Sequence, residues 1–131
     1  MQSVQTGAMR RLIALLALSA CMQAPAPPVA TGDYRLVSIN AASFTARATI
    51  SFAAPGVVSG NAPCNSYSGP LTAALPEFAT SGIMSTEIGC DALADEGMFF
   101  AALAAMTRAD ISAAQVVLSN SAGDSMVFVQ P

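Results

Sequence analysis

The sequence predicts an α+β domain, a small antiparallel β-sheet or partly open barrel with one main packed helix. Three observations predict it. Apolar and polar residues alternate in several short segments, turn signals rich in glycine and proline separate those segments, and residues 91–108 carry apolar side chains at helical spacing. With 131 residues, the chain has the length of one ordinary domain and a targeting segment.

The strands are predicted from the alternating segments. A period of two occurs at residues 34–36, 49–52, 116–118 and 126–129. The turn signals between them are Pro55-Gly56, Ser59-Gly60-Asn61, Ser68-Gly69-Pro70, Ser81-Gly82 and residues 120–124. Short strands separated by frequent turns favour antiparallel pairing, because a parallel crossover needs a longer connection.

The helix is predicted over residues 91–108, DALADEGMFFAALAAMTR. Its apolar face carries Leu93, Gly97, Phe100, Leu103 and Ala104, with Phe99 and Met106 at the margins. Asp91 is the predicted cap, Asp95 and Glu96 suit the positive first turn, and Arg108 lies near the negative end. A mid-helix glycine costs about 1 kcal/mol relative to alanine, so we expect Gly97 to allow close packing against the sheet.

Residues 1–20 have the pattern of a secretory signal. Arg10 and Arg11 form a positive start, and the apolar stretch that follows, LIALLALSA, ends at Ala20. A membrane-spanning helix needs about 20 apolar residues, so this stretch is too short to span a bilayer and suits a signal peptide.

The end of this signal resembles the lipobox of bacterial lipoproteins. In Leu18-Ser19-Ala20-Cys21 a cysteine follows small and apolar residues. The resemblance implies lipid on the Cys21 thiol, cleavage before Cys21 and acylation of the new amino group, and several acyl chains anchor a protein stably. We therefore expect a lipid-anchored protein of the outer membrane that faces the periplasm. Residues 21–32 would be the lipidated cysteine with a proline-rich tether, and residues 33–131 the folded domain. The alternative is a chance cysteine beyond a conventional signal or in a short buried helix.

Cysteine counting adds a second expectation. The chain has three cysteines. If Cys21 carries lipid, Cys64 and Cys90 remain as an even pair in an exported protein, which indicates a disulfide. Two buried free thiols are the alternative.

Two motifs resemble the META domain, or HslJ-like, family. The first is VSGNAPCNSYSG at residues 58–69, and the second is TEIGC at residues 86–90, a threonine four residues before a cysteine. The similarity spans about residues 33–129, although Tyr34 stands where the family often has tryptophan and Pro63 precedes Cys64. The motif positions are Ser59, Gly60, Cys64, Asn65, Tyr67, Gly69, Thr86 and Cys90. The resemblance implies a compact antiparallel sheet with a packed helix, found in envelope lipoproteins linked to stress or drug tolerance.

Each motif residue has a structural interpretation beside a functional one. We expect Asn65 to bond nearby backbone rather than a ligand, Tyr67 to fill the core, and Thr86 to bond backbone ahead of the helix. Small motif residues are expected to permit turns and positive φ angles: Ser59, Gly60 and Gly69. The methionines are expected to fill core gaps, with an adaptable binding surface as the alternative: Met84, Met98, Met106 and Met126.

Missing residue types exclude most enzymatic chemistry. The chain has no histidine, and its five basic residues are all arginines. Ser-His-Asp, Cys-His and Ser-Lys systems, Schiff bases, histidine-ligated metals and a P-loop lysine are therefore excluded, and we expect no cofactor or metal. The same scarcity of positive charge disfavours nucleic acid as a partner. Paired carboxylates among Asp91, Asp95 and Glu96 remain, with helix capping as the competing interpretation.

Three functional hypotheses follow. The leading one is a non-enzymatic envelope lipoprotein that supports envelope integrity or stress tolerance by binding a protein or an apolar ligand. The second is a periplasmic inhibitor of a cell-wall hydrolase, which would present a charged or aromatic plug. The third is a carboxylate-dependent enzyme, which requires two acids that converge in a pocket.

Overall fold

The computed structural model describes residues 32–131. The predicted signal, Cys21 and nearly all of the predicted tether lie outside the described residues. The elements in chain order are β1 (Tyr34–Ile39), β2 (Ala42–Ser43), β3 (Thr49–Ile50), β4 (Val57–Asn61), β5 (Ser66–Pro70), β6 (Met84–Ser85), α1 (Leu93–Ala105), β7 (Arg108–Ile111), β8 (Gln115–Ser119) and β9 (Ser125–Val129). Among these elements, no helix has the length and apolar character needed to cross a bilayer.

All strand pairings are antiparallel, and the strands form two sheets. The larger sheet has the order β2-β1-β9-β8-β7, with β3 also paired to β1, and the smaller has the order β4-β5-β6. An isolated bridge joins Ser51, next to β3, to Ser59 of β4, so the two sheets are in contact without closing into one barrel. The predicted α+β class, with antiparallel sheets and one main helix, is confirmed.

The core lies between the sheets and α1. The predicted period of two puts alternate side chains of β1, β8 and β9, the inner strands of the larger sheet, into it, as burial of Tyr34, Leu36, Val116, Leu118, Met126 and Phe128 shows. From the helix, Phe99 and Leu103 are buried against them. Aromatic contacts join the smaller sheet to the helix, because the ring of Tyr67 lies 5.5 Å from that of Phe99 and 5.7 Å from that of Phe100.

Two predicted turns are strands instead. Ser59 and Gly60 lie in β4 and Gly69 lies in β5, and none of them has a positive φ angle. Gly60 is required by close approach, since a β-carbon there would collide with the carbonyl of Thr49. The sequence predicted turns here because small residues, which let two strands approach closely, are also typical of turns.

The helix is shorter than predicted, and a different face of it packs against the core. It spans Leu93–Ala105, begins after Ala92 without a side-chain cap, and leaves Asp91 outside, so the predicted Asp91 cap is wrong. Leu93 and Gly97 are exposed, whereas Glu96 is buried with Phe99. Arg108 lies in β7, where it forms an exposed ion pair with Asp110, and not at the helix end.

Gly97→Ala should raise the free energy of unfolding by about 1 kcal/mol, the difference in helix propensity between the two residues. The expected close packing at Gly97 is wrong, because nothing lies within 4 Å of a β-carbon built there. Urea unfolding of the full chain measures the change. Gly60→Ala is the matched control, and we expect it to destabilise the protein by about 2 kcal/mol through overpacking. A loss of stability in Gly97→Ala would contradict this assignment.

Candidate functional site

The predicted disulfide is present. Cys64 and Cys90 are bonded, with their Cα atoms 5.7 Å apart and a sequence separation of 26. The bond joins the loop between β4 and β5 to the residues that lead into α1. The residues beside each cysteine are thereby brought together, and they form a polar cluster.

Asn65 is at the centre of this cluster, and its side chain uses its full hydrogen-bonding capacity. Nδ2 donates to the carbonyl of Ile88 at 3.1 Å and to Oε1 of Glu96 at 2.7 Å. Oδ1 accepts from the Thr86 hydroxyl at 2.8 Å and from the Ile88 N–H. An amide side chain has two donors and two acceptor positions, so no capacity remains for a ligand. The expectation that Asn65 bonds nearby backbone is wrong. Asn65 bonds Thr86 and Ile88, which lie 21 and 23 residues away in sequence.

Glu96 is the second member of the cluster, and only 7% of its surface is exposed. Oε2 accepts from the backbone N–H groups of Cys64 at 2.7 Å and Asn65 at 2.9 Å, and Oε1 accepts from the Asn65 amide. A carboxylate out of water is costly unless donors surround it, and these three charge-assisted hydrogen bonds supply them. Glu96 therefore holds the first turn of α1 against the β4–β5 loop.

Tyr67 lies in β5, two residues after Asn65. Its hydroxyl donates to the carbonyl of Thr49 at 2.7 Å, beside the close approach at Gly60. Burial, with a smaller effect from Asp33, raises the pKa of this phenol far above its usual range. The side chain thus stays a neutral donor, which agrees with the expected core position.

Thr86 is exposed and donates its hydroxyl to Asn65, so the expected bond to backbone is wrong. The threonine and asparagine of the two family-like motifs therefore contact each other. The methionine expectation is half right, because Met106 and Met126 are buried whereas Met84 and Met98 are exposed. The two exposed methionines contribute to the surface and not to the core.

A concave surface runs along β6, and we name it the β6 groove. One part, about 400 Å³, lies between the residues after β6 and α1, and is lined by Asn65, Ser85, Thr86, Glu87, Ile88, Gly89, Leu93, Glu96 and Phe100. The other part, about 450 Å³, is lined by Thr80, Gly82, Ile83, Ser85, Phe100, Leu103 and Ala104. Ser85 and Phe100 border both parts, so the two parts adjoin at these residues.

Unusually exposed apolar side chains surround this groove. Met84 is 76% exposed, Ile88 61% and Leu93 51%. Met84 lines a further concavity of about 290 Å³ between β5 and β6, next to Ser85 and Thr86. Neighbouring exposed apolar residues on a concave surface are characteristic of binding sites. The apolar groove is the feature that the ligand- or protein-binding hypothesis requires.

Of the three acids of the enzyme hypothesis, Glu96 alone lines the groove. Glu87 and Glu96 border the groove, but both oxygens of Glu96 already accept hydrogen bonds from Cys64 and Asn65. Asp91 and Asp95 are not among the residues that line it. Within residues 32–131, no three acidic or cysteine side chains are grouped as metal ligands would be. The arrangement offers apolar contact, exposed hydroxyls and one exposed carboxylate, Glu87.

Sequence reasoning placed Glu96 with the solvated charges of the first turn and missed its structural role. The helical spacing of the sequence indicates that Glu96 faces inward. Glu96 lies three, four and seven residues before Phe99, Phe100 and Leu103, which puts its carboxylate on the face that packs inward. A lone acid on such a face requires hydrogen-bond donors from elsewhere in the chain.

Comparison with known proteins gives one family model and two solved structures of similar fold. The family model described as META domain matches residues 27–131. An NMR structure is 20% identical over 77% of this chain and 91% of that chain, with a TM-score of 0.58. An NMR structure of a protein from Burkholderia xenovorans is 19% identical over 83% of this chain and 92% of that chain, with a TM-score of 0.61. No curated protein sequence gives a significant match. At these identities the two structures show a shared fold alone.

Proposed function

This chain belongs to the META domain family, and from that premise we propose that it is a non-enzymatic envelope lipoprotein that acts by binding a protein or an apolar ligand in the β6 groove. The observation that carries the proposal is the exposure of Ile88 and Leu93 on either side of a concave surface. Keeping such side chains in water costs free energy, roughly 25 cal/mol per Å² of apolar surface, and a partner that covers them recovers it.

The chemistry of the site supports binding over catalysis. No histidine or lysine occurs in the chain, and both oxygens of the one buried carboxylate of the site, Glu96, already accept hydrogen bonds from protein donors. The hydrolase-inhibitor alternative would gain support from an exposed loop with a charged or aromatic plug. All eight aromatic side chains of the protein lie within the described residues, and each is buried or half-buried. We therefore prefer binding within the groove to insertion of a loop into a partner.

The envelope location is part of the proposal. Cys21 would carry the lipid, and residues 22–32 would hold the domain away from an outer-membrane surface on its periplasmic side. Metabolic labelling with palmitate should mark the wild type and not Cys21→Ala. Ser19→Ala, which keeps a small residue in the lipobox, is the matched control and should be labelled. Equal labelling of wild type and Cys21→Ala would remove the anchor from the proposal.

Replacing the groove's exposed apolar side chains should abolish function without unfolding the domain. In a strain that lacks the protein, Ile88→Ser with Leu93→Ser should fail to restore tolerance to envelope stress. Both residues are more than half exposed, so each change should alter the free energy of unfolding by no more than about 0.5 kcal/mol. Survival under stress, with urea unfolding of the same variants, measures both effects.

The matched control is Leu75→Ser with Met98→Ser. These two side chains are also exposed and apolar, but neither lines the groove. The control pair should restore tolerance fully. If the groove pair also restored it, with equal protein levels, the groove would not be the functional surface.

A further inference from the structure

The strand that borders the groove is itself unpaired on one side. β6 is the outer strand of the β4-β5-β6 sheet. The N–H of Thr86 donates to the carbonyl of Ser66 at 3.1 Å, toward β5. Backbone groups of neighbouring residues in an antiparallel ladder point in opposite directions, so the N–H and C=O of Ser85 point away from β5. An open edge of this kind accepts a further strand.

The groove offers apolar contacts in both of its parts, next to this open edge. Ser85 borders both parts of the groove, Ile88 and Leu93 lie in one part, and Ile83 and Leu103 lie in the other. A peptide that extends β6 would place alternate side chains over these contacts. Main-chain hydrogen bonds then provide affinity, and the apolar contacts select the side chains.

The charge around the groove is negative and uncompensated. Its lining contains Glu87 and Glu96 and no cation, and exposed Asp91 follows closely after Gly89. Within residues 32–131, the one ion pair is that of Arg108 with Asp110. Since Glu96 is satisfied internally, Glu87 and Asp91 are left to attract a partner with positive charge.

We propose that the β6 groove binds an extended cationic and apolar polypeptide segment, which pairs with β6 as an additional strand. The proposal rests on the proposed binding function and specifies the class of partner. Apolar side chains of the segment contact Ile88, Leu93 and Ile83, and its lysines or arginines lie near Glu87 and Asp91. The outward N–H and C=O of Ser85 form the ladder hydrogen bonds.

The test uses a short synthetic peptide of alternating valine and lysine and the full chain in a mild detergent. Ser85→Pro removes the outward N–H but no hydrogen bond to β5, a position where an edge strand tolerates proline. It should weaken peptide binding by about tenfold or more, the effect of losing one hydrogen bond of about 1.4 kcal/mol. Met98→Ala, which changes an exposed side chain outside the groove, is the control and should bind as the wild type does.

Two changes to the peptide test the proposal without any change to the protein. N-methylation of alternate backbone amides should abolish binding, because it removes ladder donors and leaves the side chains in place. Exchanging each lysine for glutamate should also abolish binding, and Glu87→Gln should weaken binding of the lysine peptide and reduce its dependence on salt. These measurements remain decisive if Ser85→Pro fails to fold.

Several results would overturn strand addition. One is equal binding of the methylated and unmethylated peptides, and another is equal binding of the lysine and glutamate peptides. A chain that self-associates through β6, and loses this association in Ser85→Pro, would have a second copy as its occupant instead. If strand addition fails while the Ile88 and Leu93 changes still abolish stress tolerance, the proposed function stands. If those changes leave tolerance intact, the proposed function itself fails.

Discussion

Glu96→Gln should lower the free energy of unfolding by about 3 kcal/mol, since hydrogen bonds to a charged group are worth about 1.5 to 3 kcal/mol each. The glutamine oxygen can still accept from the N–H groups of Cys64 and Asn65, as Oε2 does now. Its amide nitrogen would then face Nδ2 of Asn65, which donates to Oε1 in the wild type. Two donors would oppose each other in a buried position, and one hydrogen bond would be lost.

Urea unfolding of the full chain measures this loss, and Glu87→Gln is the matched control. Glu87 is exposed and close in sequence to the same cluster, so its change should stay within about 0.5 kcal/mol. Stability equal to the wild type in Glu96→Gln would show that the carboxylate is not a structural hydrogen-bond acceptor. Loss of stress tolerance with unchanged stability would favour the carboxylate-dependent enzyme.

The inner strands of the larger sheet, β1, β8 and β9, were predictable because their alternation is a local property. Leu36, Val116 and Phe128 each begin or continue a period of two, and each is fully buried. β4 and β5 were not predictable in this way. Gly60 and Gly69 are small because Thr49 and Ile83 approach them, and the identity of those neighbours depends on the tertiary structure.

The candidate site was predictable in part. The family-like motifs identified Asn65, Thr86 and the two cysteines, and the structure brings them together. The groove was not predictable, because nothing in the sequence distinguishes the exposed Ile88 and Leu93 from the apolar residues of the core. Their apolar character predicted burial, and Leu93 was assigned to the inward face of the helix. The face of α1 that packs inward includes Glu96 and not Leu93, so Leu93 is exposed.

Removal of the disulfide should have an effect at least as large as that of Glu96→Gln. Cys64→Ala with Cys90→Ala opens a crosslink between residues 26 apart, a loss of about 3.5 kcal/mol on the loop-entropy model. The structure adds a further consequence. Cys64 donates its N–H to Glu96. Loss of the disulfide makes the β4–β5 loop more mobile, and this hydrogen bond is weakened as well. Urea unfolding of the double variant, with Cys21 left intact, measures the total.

The combination of both changes tests whether the disulfide and the carboxylate act as one unit. If they do, the triple variant with Glu96→Gln should lose less stability than the sum of the separate losses, because each change already weakens the hydrogen bond from Cys64 to Glu96. Reduction of the wild type, with the thiols then alkylated, is the control and should match the double alanine variant. Strictly additive losses would mean that the disulfide only restricts the unfolded chain. A coupled loss would mean that the disulfide also positions the loop for Glu96, and so supports the wall of the β6 groove to which Asn65 and Glu96 both belong.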